Sequence, residues 1–200
     1  MKRIGILGGT FNPPHNGHIH AARQTKDALG LDGIWLMPDN IPPHKAMPAG
    51  SPDTCQRLEM TRLAAQEIPD AEVCELELYR GGRSYTVDTM TELTHRYPET
   101  AFHFIMGTDM LLTLDSWYRP QDICRLCALA VVAREDDDHE ALEAAAQKYR
   151  LLWNARIDLV DCPALPMSST ELRTDPEACR AMVPDRVWEY IQKNRLYSWG

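Results

Sequence analysis

Two hundred residues, 44% of them hydrophobic, suffice for one domain spanning 1–200 with an ordinary core. A formal charge of -8 disfavours a general nucleic-acid binder, whose affinity for phosphate backbones comes from clustered Lys and Arg, so any phosphate must be held by a local site. Nothing reads as a signal peptide or a membrane span; the expectation is a cytoplasmic protein without a nucleic-acid or membrane partner, and a homo-oligomer is left open.

The chain opens on an apolar run, Ile4, Ile6 and Leu7, which predicts a buried strand over 2–7. GGTFNPPHNGH follows at 8–18 and reads as a loop with a task. Gly8 and Gly9 let the backbone approach a ligand, and Pro13 and Pro14 stiffen the next turn. His15 and His18 fall three apart at the start of a helix expected at 17–29, so their side chains face one bound group together. His20 breaks that facing. A strand at 33–37 leads into the proline-rich stretch DNIPPHK. Helices are expected at 53–67, after Ser51-Pro52-Asp53, and at 85–97, after Ser84-Tyr85-Thr86, with a strand at 71–76 between them. Strands at 101–106, 127–133 and 156–160 and helices at 139–150 and 184–193 complete the alternation, and the acidic run at 135–138 reads as a solvated turn.

Alternating strands and helices are the pattern of a doubly wound α/β domain with a parallel, Rossmann-like sheet. Such sheets bind ligands outside the carboxyl ends of their strands, where helix N-termini offer free N–H groups. The opening loop occupies that position. Two other chemistries compete for the same residues. Zinc would need ligands beyond His15, His18 and His20, and the remaining histidines are scattered, so no metal ligand is assigned. The dinucleotide fingerprint fails because Gly5, Gly8 and Gly9 do not have its spacing. The six cysteines read as reduced thiols in a chain too large to need staples, and Cys124 and Cys127 as small buried side chains.

Gly9, Thr10, Phe11, His15, Gly17 and His18 resemble the (T/H)xGH nucleotidyltransferase signature, and MSSTELR at 167–173 resembles the ISSTxxR motif of the same superfamily. Between them, IPPHK at 41–45, RGGRSYTVDT at 80–89, GTD at 107–109 and SWYRP at 116–120 are similar to the bacterial nicotinate-nucleotide adenylyltransferases. Asn12 and Arg83 depart from the pattern, for the family often has Asp and Pro there. The resemblance implies a nucleotidyltransferase fold and the conversion of ATP and nicotinate mononucleotide into nicotinate adenine dinucleotide and pyrophosphate, a step of NAD biosynthesis. Elementary chemistry agrees with it: a nucleotide phosphate is already a competent nucleophile, so the site needs positioning and charge stabilisation rather than a base.

Carried over residue by residue, the resemblance implies catalytic roles for His15, His18 and Arg173. ATP contacts are implied for these and for Gly8, Gly9, Thr10, Phe11, Gly107, Asp109, Arg134, Ser168, Ser169 and Thr170, with Mg²⁺ carried by the phosphates. The mononucleotide is expected at Asn40, His44, Lys45, Tyr85, Thr86, Asp109, Trp117 and Tyr118. Several of these have ordinary structural readings as well: Ser168 with Glu171 as a capping box, Asp109 as a helix cap, Trp117 as an anchor for its loop. Two other functions remain as rivals. Phosphopantetheine adenylyltransferase shares the phosphate motifs but differs in the middle of the chain, and a noncatalytic ATP sensor would have no need of His15, His18 and Arg173.

Overall fold

The computed structural model of the chain describes residues 1–43, 46–133, 139–163, 168–197 and 199. Strand β1 (Lys2–Gly9) is followed by α1 (Asn16–Leu29), β2 (Gly33–Pro38), α2 (Thr54–Ala65), β3 (Ala71–Val73), α3 (Leu76–Arg80) and α4 (Thr86–Arg96). Then come β4 (Thr100–Gly107), α5 (Thr108–Leu112), a 3-10 turn (Leu114–Ser116), α6 (Pro120–Leu126), β5 (Ala128–Ala133), α7 (His139–Trp153) and β6 (Ile157–Asp161). The described chain finishes with α8 (Ser169–Leu172), α9 (Pro176–Met182) and α10 (Asp185–Lys193).

The six strands form one all-parallel sheet in the order β3-β2-β1-β4-β5-β6. Because side chains alternate across a strand, β1 supplies both layers of the core. Ile4 and Ile6 join Phe102 and Phe104 of β4, Met90 and Leu93 of α4, and Tyr149 of α7. Leu7 lies in the opposite layer with Ile19 of α1, Met60 of α2, Ile105 of β4, and Val187 and Ile191 of α10. Each such aliphatic side chain, buried in full, contributes ~1.5–3 kcal/mol. A Cβ at Gly5 would stand 2.7 Å from Ile34 Cδ1 and 2.8 Å from Leu31 Cδ1, so these side-chain ends would have to shift to admit one.

The chain runs outward from β1 through β2 to β3, then returns to the other side of β1 and continues through β4, β5 and β6. The winding direction therefore reverses between β1 and β4, and a crevice opens beyond their carboxyl ends. Among the described residues, no helix is long and apolar enough to cross a membrane.

The doubly wound parallel sheet matches the sequence reading, and two of its segments are corrected. The strand expected at 71–76 ends at Val73; the Cys74 N–H still donates to the Leu36 carbonyl at 2.9 Å, after which Glu75 caps α3. The strand expected from 127 begins at Ala128, because the preceding PQDICRL is a helix started by Pro120 at its first position. The short α3 and α9 carry too few residues to show a helical period, yet α9 has a readable start: Asp175 accepts from the Glu177 and Ala178 N–H groups, with Pro176 next to it. Cys124 and Cys127 are buried small side chains as expected, and burial pushes their thiols up to about 11 and about 12.

Candidate active site

Strand β1 delivers its last residues, Gly8 and Gly9, to the crevice, and the loop beyond is held from three parts of the chain. Phe11 adopts a left-handed backbone (φ 47°), a conformation that costs a non-glycine residue about 1–2 kcal/mol and persists only where surroundings enforce it. From β2 and α2, the Thr10 hydroxyl donates to Asp39 Oδ2 at 2.8 Å while Arg57 Nη1 donates to the Thr10 carbonyl at 2.7 Å. Arg57 Nη2 donates to the Asp39 carbonyl at 2.8 Å, and Nη1 pairs with Asp39 Oδ1 at 3.2 Å. Burial pulls the Arg57 guanidinium below its ordinary value, and the Asp39 carboxylate opposes that pull.

The third support comes from the far end of the sequence. Asn12, only 2% exposed, accepts from the Tyr197 hydroxyl at Oδ1 (2.9 Å) and donates from Nδ2 to Ser51 Oγ (2.9 Å). Arg173 Nη1 donates to the Asn12 carbonyl at 3.0 Å, and Ser169 Oγ to the Pro13 carbonyl at 3.1 Å. The two motifs that lie some 150 residues apart in sequence are thus in direct contact. Ser168 caps α8 by accepting from the Glu171 N–H at 3.3 Å, and Arg173 Nη2 also reaches Thr170 Oγ1 at 3.0 Å.

His15 is the N-cap of α1 and His18 its third residue, with ring centroids 3.8 Å apart. The His15 N–H donates to His18 Nδ1 at 3.2 Å, and an acceptor at Nδ1 places the neutral ring's hydrogen on Nε2. Phe11 sits edge-on to His18 at 5.1 Å and orients the ring from below. His15 is 8% exposed, and burial lowers its pKa to about 4, so it is neutral at neutral pH. The pair therefore presents hydrogen-bond donors without two adjacent charges.

Two cavities open beside this loop and share Gly8 and Met110. The first, of about 310 Å³, lies over the ends of β1 and β4 and is lined by Gly8, His15, His18, Gly107, Val132 and Cys162 among others. His20 lines it too, which corrects the expectation that this residue turns away from the site. The second, of about 210 Å³, is bordered by Gly9, Thr10, Asp39, Ser84, Thr86 and Trp117, with Glu77 beside them.

The predicted residues distribute over these two spaces. Gly8, His15, His18 and Gly107 meet at the first; Gly9, Thr10, Thr86 and Trp117 meet at the second. Phe11 is buried beneath the histidines rather than open to either. Ser169 and Arg173 brace the loop through the Pro13 and Asn12 carbonyls, with Thr170 bound to Arg173, and none of them is among the residues lining either cavity. Asp109 is exposed in the first turn of α5; the cap of that helix is Gly107, not Asp109. Trp117 is half-buried, edge-on to Phe104 at 6.2 Å, so it anchors its loop and also faces the cavity. Tyr85 and Tyr118 are neighbours, 5.0 Å between centroids. Asn40 is tied to the loop after α3, its N–H donating to Ser84 Oγ at 3.0 Å and its Nδ2 to the Gly82 carbonyl at 3.1 Å. His44, Lys45 and Arg134 lie outside the described residues.

Sequence reasoning missed Arg57, Asp39, Glu77 and Tyr197. Arg57 carried a signal, since it precedes Met60, Thr61 and Ala64 by three, four and seven residues and so falls on the buried stripe of α2. Asp39, Glu77 and Tyr197 carried none, because their partners are distant in sequence.

Comparison with known proteins agrees with this geometry. The cytidylyltransferase-like family matches residues 6–175. A relative from Oceanobacillus iheyensis named "probable nicotinate-nucleotide adenylyltransferase" is 38% identical over 203 residues, covering 100% of this chain and 99% of its own. A relative of the same name from Bacillus mycoides is 38% identical over 201 residues, covering 99% of this chain and 100% of its own. Among solved structures, the Plasmodium falciparum nicotinic acid mononucleotide adenylyltransferase complexed with NaAD superposes with a TM-score of 0.82 at 19% identity, covering 100% of this chain and 99% of that one. Sheet order, loop and relatives together place this chain in the nicotinate-nucleotide adenylyltransferase family, within the cytidylyltransferase-like proteins.

Proposed function

We propose that this protein transfers the adenylyl group of ATP to nicotinate mononucleotide, giving nicotinate adenine dinucleotide and pyrophosphate. The observation that carries the reading is the meeting of two cavities at Gly8, with the His15–His18 pair on one side and Thr86 and Trp117 on the other. ATP takes the first cavity and the mononucleotide the second. A phosphate oxygen of the mononucleotide attacks the α-phosphorus, the bond to the β-phosphate breaks, and pyrophosphate leaves with the electron pair.

His18, with its hydrogen on Nε2, donates to the α-phosphate as negative charge grows there. His15 adds a second, neutral donor. Arg173 has five donors, so while Nη1 and Nη2 hold the loop the guanidinium can also take phosphate oxygens of the leaving group. The exposed Asp109, beside Gly107, is a hard oxygen donor at the rim and suits the hydration shell of a Mg²⁺ ion carried in by ATP. Asn40, with His44 and Lys45 shortly after it in the sequence, serves the mononucleotide phosphate. Trp117 offers a ring to the pyridine, with Tyr85 and Tyr118 closing the pocket.

Backbone N–H groups at the start of α4 near Thr86, and at Tyr118, favour an anionic carboxylate over a neutral amide, whose NH₂ would set donor against donor. The test is pyrophosphate release from ATP and Mg²⁺ with nicotinate mononucleotide, nicotinamide mononucleotide and pantetheine phosphate side by side. The expected kcat/KM for the nicotinate form exceeds that for the nicotinamide form by roughly tenfold to hundredfold. Preference for the amide overturns the pocket assignment, and turnover only with pantetheine phosphate overturns the function.

A further inference from the structure

A third cavity, of about 380 Å³, opens at the β3 edge of the sheet and shares no lining residue with the two at the end of β1. Three aromatic side chains line it: Trp35 of β2, Tyr79 of α3, and Tyr97, the residue that caps α4. The Trp35 and Tyr97 ring centroids are 5.1 Å apart and the planes are inclined at 70°, so the two rings form adjacent walls of a corner rather than a flat stack. Phe102, 5.8 Å from Trp35, holds the indole from the core side. Tyr79 is 85% exposed; it gains little from burial within the chain and leaves its ring open to a ligand. Leu76 and Leu93, both buried, give the cavity an apolar floor.

Negative charge completes the set. The parallel pairing of β3 with β2 puts Glu72 opposite Trp35, so the two side chains stand on one face of the sheet. Glu75, also in the lining, is held by Arg62, and the one lining cation, Arg96, is held by Glu92. Glu72 forms no ion pair among the described residues and keeps its charge at the rim. The carboxyl end of α4, the negative end of an 11-residue helix dipole, reaches the same cavity through Arg96 and Tyr97.

We propose that this cavity binds a small organic cation, a free quaternary ammonium compound, against the rings of Trp35, Tyr79 and Tyr97 with Glu72 as its counter-charge. Aromatic faces carry the negative part of the ring quadrupole and attract a cation, most strongly at tryptophan. A quaternary ammonium group spreads its charge over methyl groups and has no N–H to satisfy, so an apolar floor costs it little. A primary amine or a metal ion would lack hydrogen-bond acceptors or ligands there; among the described residues no group of three His, Cys, Asp or Glu side chains is placed to hold a metal. An anion would meet Glu72 and Glu75. The cavity volume falls in the range of small-molecule sites, roughly 300–1,000 Å³. The proposal stands apart from the adenylyl-transfer reading, since it uses neither substrate cavity.

The test is titration of the protein with choline and with its uncharged carbon isostere, 3,3-dimethylbutan-1-ol, followed by the Trp35 indole N–H resonance. Choline should bind at least about tenfold more tightly than the isostere. Tyr79→Leu, which keeps apolar bulk and removes the aromatic face, should weaken choline about tenfold, and Glu72→Gln about threefold. Both side chains are exposed, so neither substitution disturbs the core. Saturating ATP or nicotinate mononucleotide should leave the choline affinity within about twofold, because no lining residue is shared. Equal binding of choline and isostere would make this an apolar groove without charge selectivity and overturn the proposal. So would the absence of a saturable shift with choline, an affinity unchanged in Tyr79→Leu, or displacement of choline by either nucleotide.

Discussion

His18 and His15 differ by one physical circumstance, burial, and the difference separates their expected phenotypes. In the proposed adenylyl transfer His18 aims a donor at charge that develops only in the transition state, so His18→Ala should lower kcat by about 10²–10³-fold while the KM for ATP moves by less than about threefold. Equal losses in both would assign His18 to ground-state binding instead. His15 reports itself through pH. Its pKa is near 6.5 in an unfolded chain and about 4 when folded, so between those values the unfolded state binds more protons and stability falls on acidification. The His15 contribution, about 3 kcal/mol across that window, is fully present above about 6.5 and gone below about 4. His103, also lowered chiefly by burial, adds a term of the same sign, so the measurement is the difference between parent and His15→Gln in urea unfolding at pH 7.5 and 4.5. A parent slope that survives in His15→Gln would reject the burial argument. Both histidines were legible in the sequence because their spacing on a helix start is a local property. Glu77 and Tyr197 were not, because each acts through a hydroxyl or amide brought close only by the fold.

Helix α2 shows what an element contributes beyond shape. It buries Met60, Thr61 and Ala64 on one face, and on that same face it carries Arg57, 2% exposed, into the carbonyls of Thr10, Asp39 and Asn40. Arg57→Ala should destabilise the fold by about 3–5 kcal/mol, because Asp39 and three carbonyl groups lose their donor in a buried place. Arg57→Lys should recover only part of that, since an ammonium lacks the fork that spans these acceptors. Equilibrium denaturation of the two variants checks the ranking, and equal stability would mean that charge alone matters. At this scale the long elements were readable from period and caps: α1, α2, α4 and α10 lie within two residues of their expected limits, and Asp53 caps α2 with Gln56 in return. Helix α7 runs three residues past its expected end, to Trp153, whose ring stacks on Tyr149 at 4.7 Å. The short α3 and α6 were not expected from the sequence, because so few residues leave no period to detect.

At the scale of the whole molecule, the sequence showed the fold class but not the strand order, and the order is what creates the site. Only with β4 beside β1 do the first and fourth strands end at a common crevice. The closure between the ends of the chain is testable through Tyr197, whose hydroxyl satisfies Asn12 across 185 residues. Tyr197→Phe should cost about 1–3 kcal/mol of stability by leaving the buried Asn12 Oδ1 without a donor, and should raise the KM for ATP with little change for the mononucleotide. A KM pattern opposite to this would show that the brace serves the second cavity. The same closure sets when the loop gains its supports. The loop is made among the first eighteen residues, yet the Ser169, Arg173 and Tyr197 side chains that hydrogen-bond it come 156 residues or more later. On the ribosome, where chains emerge at about 5–20 residues per second, a half-made copy has the loop but not its supports. Its Asn12 and Pro13 carbonyls and the Asn12 amide oxygen lack these donors until the later residues have been made.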